Sequence, residues 1–117
     1  MNVKQFYSEV HGNYGSALSI MMNDIFIAKM LSKFMENNIY DQIISSYEKK
    51  DYRALFAASH SYKGVAGNLA LTPLFNLAST ITEATRHSDD VNLDKEIEEL
   101  KEAYALVKEK YAEYIAK

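Results

Sequence analysis

Apolar residues recur along this chain at three- and four-residue steps, and the strict alternation of a half-buried strand is missing, so the pattern predicts helices almost throughout. A short first helix is expected over 3–10, closed by the turn cluster Gly12-Asn13-Tyr14-Gly15. A second begins at 16 or 24 and runs to 35, with Ile27, Met30, Leu31 and Phe34 on one face and Asn37-Asn38 at its end. The third covers 40–49 and turns Ile43, Ile44 and Tyr47 inward. Asp51 then reads as the N-cap of a fourth helix extending to 71. Thr72-Pro73 reads as N-cap and first helical residue of a fifth, which buries Leu74, Leu77, Ala78, Ile81 and Ala84 and ends near Arg86. The polar run His87-Ser88-Asp89-Asp90 is expected as a loop. From 92 a final helix carries Leu93, Ile97, Leu100, Tyr104, Val107, Tyr111 and Ile115 along one stripe. Short loops between long helices imply antiparallel neighbours, so the expected fold is all-α: an antiparallel up-and-down four-helix bundle with a short additional N-terminal helix.

Composition narrows this further. At 117 residues, with 48% hydrophobic and 25% charged, the chain is expected to be one globular domain spanning 1–117. The net charge of −3 argues against nucleic-acid binding, which needs a clustered basic face. Cysteine is absent, which excludes disulfides and thiolate metal sites and fits a reducing compartment. The most apolar stretch, 20–35, is interrupted by Asn23, Asp24, Lys29 and Lys33, so no membrane span is expected. Residues 1–6 lack the apolar core of a signal peptide. A cytoplasmic, monomeric domain is the expectation, and the start at Met favours a stand-alone chain.

On the fourth helix the wheel separates two poles. At about 100° per residue, Phe56, Lys63, Gly64 and Gly67 fall within about 60° of His60. Leu55, Ala58, Tyr62, Val65 and Leu69 fall on the far side and form the apolar stripe. His60 is therefore aimed at water, beside a lysine and two residues without side chains. Glycine inside a helix costs about 1 kcal/mol against alanine, so Gly64 and Gly67 ask for a reason, and the close approach of a partner supplies one. Phe56 on this face reads as an exposed apolar contact for the same partner. A lone helical histidine is usually structural; here the surroundings argue otherwise.

The segment Ala58-Ser59-His60-Ser61-Tyr62-Lys63-Gly64-Val65-Ala66-Gly67-Asn68-Leu69-Ala70-Leu71 closely resembles the signature of histidine-containing phosphotransfer (HPt) domains, A-H-x-L-K-G-x-x-x-N-L-G. The resemblance continues through Thr72 to Ala78 and on to Glu83-Ala84-Thr85-Arg86, and reaches back to Tyr52-Arg53-Ala54-Leu55-Phe56 and Met22-Asn23-Asp24. It implies a phosphocarrier of multistep two-component phosphorelays, not an enzyme with its own turnover. His60 would accept a phosphoryl group from, and donate it to, an aspartate of a response-regulator receiver domain or a hybrid histidine kinase. Lys63 and Gly64 match the signature's pair. Three positions depart from it. Tyr62 replaces Leu and faces the core, where it is accommodated if its hydroxyl reaches water or a partner; Ala70 replaces Gly, read as a helix-favouring change. Thr82 stands where a Gln or Glu often faces the active histidine. Arg86 lies where a basic residue is common, and either assists the phosphoryl group or favours the helix C-terminus.

Neutral imidazole can supply the nucleophile, since a histidine's ordinary pKa of about 6.5 leaves it mostly unprotonated at neutral pH. Lys63 would place an ammonium beside the phosphoryl oxygens. No cofactor is expected, and any metal would come from the receiver. Other readings find less support. Gly64-Val65-Ala66-Gly67 matches the GXXG of single-stranded nucleic-acid binders, but without the strands those modules need. No Glu-x-x-His pair suggests a di-iron bundle, and no His-Asp ligand cluster suggests a hydrolase. His11 and His87 fall in turns and read as solvated. The remaining rivals are a degenerate bundle that binds receivers without being phosphorylated, and a purely structural module.

Overall fold

The computed structural model describes residues 1–87 and 90–116, which form seven α-helices: α1 (Val3–Glu9), α2 (Tyr14–Met21), α3 (Asp24–Glu36), α4 (Ile39–Glu48), α5 (Tyr52–Asn68), α6 (Thr72–Ala84) and α7 (Asp94–Ile115). Asparagine and aspartate start most of them. Asn2, Asn13, Asn23 and Asp51 each occupy an N-cap, and their side chains accept from the backbone N–H of Gln5, Ser16, Phe26 and Ala54. Asn2 and Gln5 complete a reciprocal capping box. At α7 the cap comes from another helix: the Tyr47 hydroxyl accepts from the Leu93 N–H at 2.8 Å and donates to Asp94.

The helix ends differ from the sequence expectation in three places, each for a local reason. The expected second helix is two elements, because Met22 adopts φ 78° and Asn23 restarts the chain as a new cap. Tyr14 and Gly15, expected in a turn, open α2. At the α5–α6 junction Leu71, not Thr72, holds the N-cap position and offers no side-chain cap; Thr72 already lies in the helix. Of the expected loop at 87–90, residues 88 and 89 lie outside the described residues.

α5 is the central element, packed chiefly against α6 and α4, while α6 also packs on α7. Its inward stripe of Leu55, Ala58, Ser59, Tyr62 and Ala66 is buried, and Leu69 follows at the cap. Fully burying an aliphatic side chain of this kind contributes about 1.5–3 kcal/mol, which anchors the helix's rotation about its axis. Tyr62 lies 1% exposed with its ring 5.3 Å from that of Phe34, and no protein group among the described residues hydrogen-bonds its hydroxyl. Tyr62 thus faces the core as expected, with its hydroxyl enclosed there.

The N-terminal helices seal the far end of α5. The buried Tyr7 hydroxyl donates to the Leu69 carbonyl at 2.6 Å, and the Asn13 N–H donates to the Ala70 carbonyl at 2.9 Å. Gly12 makes this approach possible: a Cβ there would stand 2.8 Å from the Tyr7 ring and 3.0 Å from the Ala70 oxygen. Ala70 itself has φ 51° and lies outside the helix. A left-handed turn position, not helix propensity, is what the glycine of the HPt signature suits here. None of the described helices is long and apolar enough to cross a membrane.

Candidate functional site

His60 sits in the third turn of α5 and is exposed, because the buried stripe orients the opposite pole of the helix outward. Its ring lies nearly parallel to that of Phe56, one turn earlier, at 12° and 5.9 Å between centroids. The Arg86 guanidinium approaches the Phe56 ring at 5.7 Å from its centroid. Phe56 is therefore partly buried between its neighbours rather than free on the surface, a correction to its expected exposed placement. The aromatic ring restrains the histidine on one side and seats the arginine.

Arg86 lies in the turn just past the end of α6, which runs antiparallel to α5. It makes a two-point contact with Glu83, 2.6 Å from Nη2 to Oε1 and 3.3 Å from Nε to Oε2. Both side chains are about half exposed, at 48% and 61%, so water screens the pair. The guanidinium holds the Glu83 carboxyl below the ordinary carboxylate range, with a lesser pull from Lys63, and the carboxylate in turn raises Arg86. Lys63 is partly buried one turn beyond His60 and forms no ion pair among the described residues. Lys63 of α5 and Arg86 in the turn after α6 thus both act on the Glu83 carboxylate, and Arg86 reaches the ring on which His60 stacks.

The two glycines differ. Gly64 is exposed, and a Cβ built there would meet nothing within 4 Å, so the surface beside the histidine is open to a visitor. At Gly67 a Cβ would stand 3.0 and 3.1 Å from two ring atoms of Phe75. The small residue there accommodates Phe75 of α6, while Gly67 itself stays partly exposed. Beyond it a groove of about 310 Å³ runs between α2 and α6, with Ile20 and Phe75 on its walls.

Thr82 does not join the site. It is 0% exposed; its hydroxyl donates to the Ala78 carbonyl at 2.7 Å and lies 3.1 Å from the Ser59 hydroxyl. Ser59 donates in turn to the Phe56 carbonyl. The residue expected to face the phosphoryl group is instead a buried link between α5 and α6, directly beneath the histidine. The expectation at Thr82 is overturned by where its hydroxyl is committed. His11 and His87 are exposed as well, His11 at a turn position with φ 60°.

Sequence reasoning missed Glu83 and Phe75. Glu83 in the last turn of α6 stands three residues before Arg86, a spacing at which opposite charges meet, and this was a usable signal. Phe75 carried none, since its contact with Gly67 depends on the register between two helices.

A sequence profile of the Hpt domain family matches residues 29–110. The chain belongs to the Hpt domain family, whose members are phosphotransfer modules of two-component signalling. The match begins within α3 and excludes α1 and α2. No curated protein and no solved structure matches the chain.

Proposed function

We propose that this chain is a histidine phosphotransfer protein of a multistep phosphorelay, with His60 as the residue that carries the phosphoryl group. The observation that bears this reading is the exposed His60 ring, stacked on Phe56 on the face of α5 opposite its buried stripe. A receiver domain would bring its aspartyl phosphate in line with an imidazole nitrogen. The nitrogen lone pair forms the N–P bond as the acyl-phosphate O–P bond breaks, and the aspartate departs as carboxylate with the bonding pair. The other ring nitrogen keeps its proton or gives it to water. Donation is the same step reversed.

Within this reading Lys63 and Arg86 supply positive charge around the phosphoryl oxygens, and Gly64 gives the partner's backbone room to approach. Phe56 orients the imidazole and offers an apolar edge to the receiver. Acid–base and metal chemistry would be the receiver's contribution, so the chain acts as a carrier without independent turnover. The helices follow an up-and-down order around α5, and the domain works as a cytoplasmic monomer whose partners are receiver domains or a hybrid histidine kinase. Among the described residues no helix is long and apolar enough to cross a membrane.

The test is transfer from a panel of receiver domains labelled with radioactive acetyl phosphate. Acid-labile, base-stable label should move to the wild-type chain and not to His60→Gln. Label that persists in the variant, or none taken from any receiver, would overturn the reading and leave a module that only binds.

A further inference from the structure

Negative charge delivered to His60 would meet a carboxylate already in place. Across the antiparallel α5–α6 pair Ser59 is level with Thr82, which puts Glu83 level with Ala58, about 3 Å along the helix axis from His60. Both oxygens of Glu83 engage Arg86, and Arg86 rests against the ring that stacks on His60. A guanidinium fork fits a carboxylate and a phosphate with the same two-point geometry. The two anions are therefore alternatives for one cation.

We propose that Glu83 is a counter-charge latch on Arg86, holding the guanidinium while His60 is bare and competing for it once His60 carries a phosphoryl group. The latch rests on the carrier reading above. A bound phosphoryl group brings a charge of about −2, so it both draws Arg86 away and repels the carboxylate left behind. Glu83 thereby reduces the share of phosphoryl groups resting on His60 and tilts the exchange toward the receiver. Glu83 touches no reacting atom; it is a positioning residue acting through Arg86. Its exposed setting limits the size of the effect, and about threefold in the transfer equilibrium is expected from pairs of this kind.

The experiment uses the full chain and whichever receiver of the panel labels it. The equilibrium ratio of labelled chain to labelled receiver is measured for wild type, Glu83→Gln, Arg86→Ala and the double variant, with Glu102→Gln on α7 as a remote control. Glu83→Gln should raise the ratio about threefold at low salt, the gain should fade near 1 M salt, where the Debye length is about 3 Å, and it should collapse in the Arg86→Ala background. The remote control should match wild type. A ratio unchanged by Glu83→Gln, or a gain that survives in the absence of Arg86, overturns the latch while leaving the carrier reading intact. Failure of the wild type to take label from any receiver overturns both.

Discussion

Thr82 stands on α6 opposite His60, yet its hydroxyl is spent on the Ala78 carbonyl and the Ser59 hydroxyl inside the helix pair. Thr82→Val keeps the shape and deletes the bond, so it should lower stability by roughly 1 kcal/mol while leaving phosphoryl acceptance within about twofold of wild type. Thermal denaturation and initial labelling rates measure the two quantities separately. Lost labelling at an unchanged melting temperature would return Thr82 to the phosphoryl site. At the same scale, Gly67 and Gly64 look alike on a wheel, but Phe75 claims one and leaves the other facing open space. The neighbours across a helix pair, which a single wheel does not contain, decide what each side chain is free to do. This is why the outward placement of His60 and Gly64 was legible from sequence, whereas the burial of Thr82, the neighbour of Gly67 and the cover over Phe56 were not.

Helix beginnings on this chain carry their own chemical marks, and helix ends do not. Asn23 and Asp51 announce α3 and α5 through side chains that take an orphan backbone N–H. The turns before the helices place non-glycine residues at positive φ, at His11, Met22, Lys50 and Ala70, and only the first has a glycine, Gly12, beside it. The start of the second expected helix stayed open between 16 and 24 for that reason, and Ala70 was read as helical. A non-glycine residue in this region costs roughly 1–2 kcal/mol, so Ala70→Gly should raise stability by about 1 kcal/mol after allowing for the greater freedom of glycine in the unfolded chain. Chemical denaturation checks this: a higher midpoint at an unchanged slope is expected. A lower midpoint would mean that the small Ala70 side chain, 8% exposed, contributes more by packing than its backbone costs.

At the scale of the whole molecule, tyrosine is built into the bundle at every level, from Tyr7 beneath α5's end to Tyr62 in the core and the Tyr47 bond that caps α7. Burial pushes the phenols of Tyr7 and Tyr62 well above their usual range, and it raises Tyr40, Tyr47 and Tyr104 as well. Unfolded phenols ionise near pH 10 while the folded ones keep their protons, so unfolding releases protons. Their contribution is complete below about pH 10 and is lost as pH rises through the folded values. Melting temperatures should therefore fall steeply above pH 10, and a flat profile from 9 to 11.5 would contradict the buried phenols. The stripes that bury these rings were readable along the chain, and they also oriented α5 with its histidine outward. The register of α6 against α5, which brings Arg86 and Glu83 to the site, emerges only from packing. Exposure does not single out His60, since His11 and His87 are exposed too; its place beside Phe56, Lys63 and Gly64 does. Tandem mass spectrometry of the chain after transfer from a phosphorylated receiver, kept alkaline to preserve the N–P bond, should find the phosphoryl group on the peptide at His60 alone. A phosphoryl group on His11 or His87, with His60 unmodified, would contradict the account.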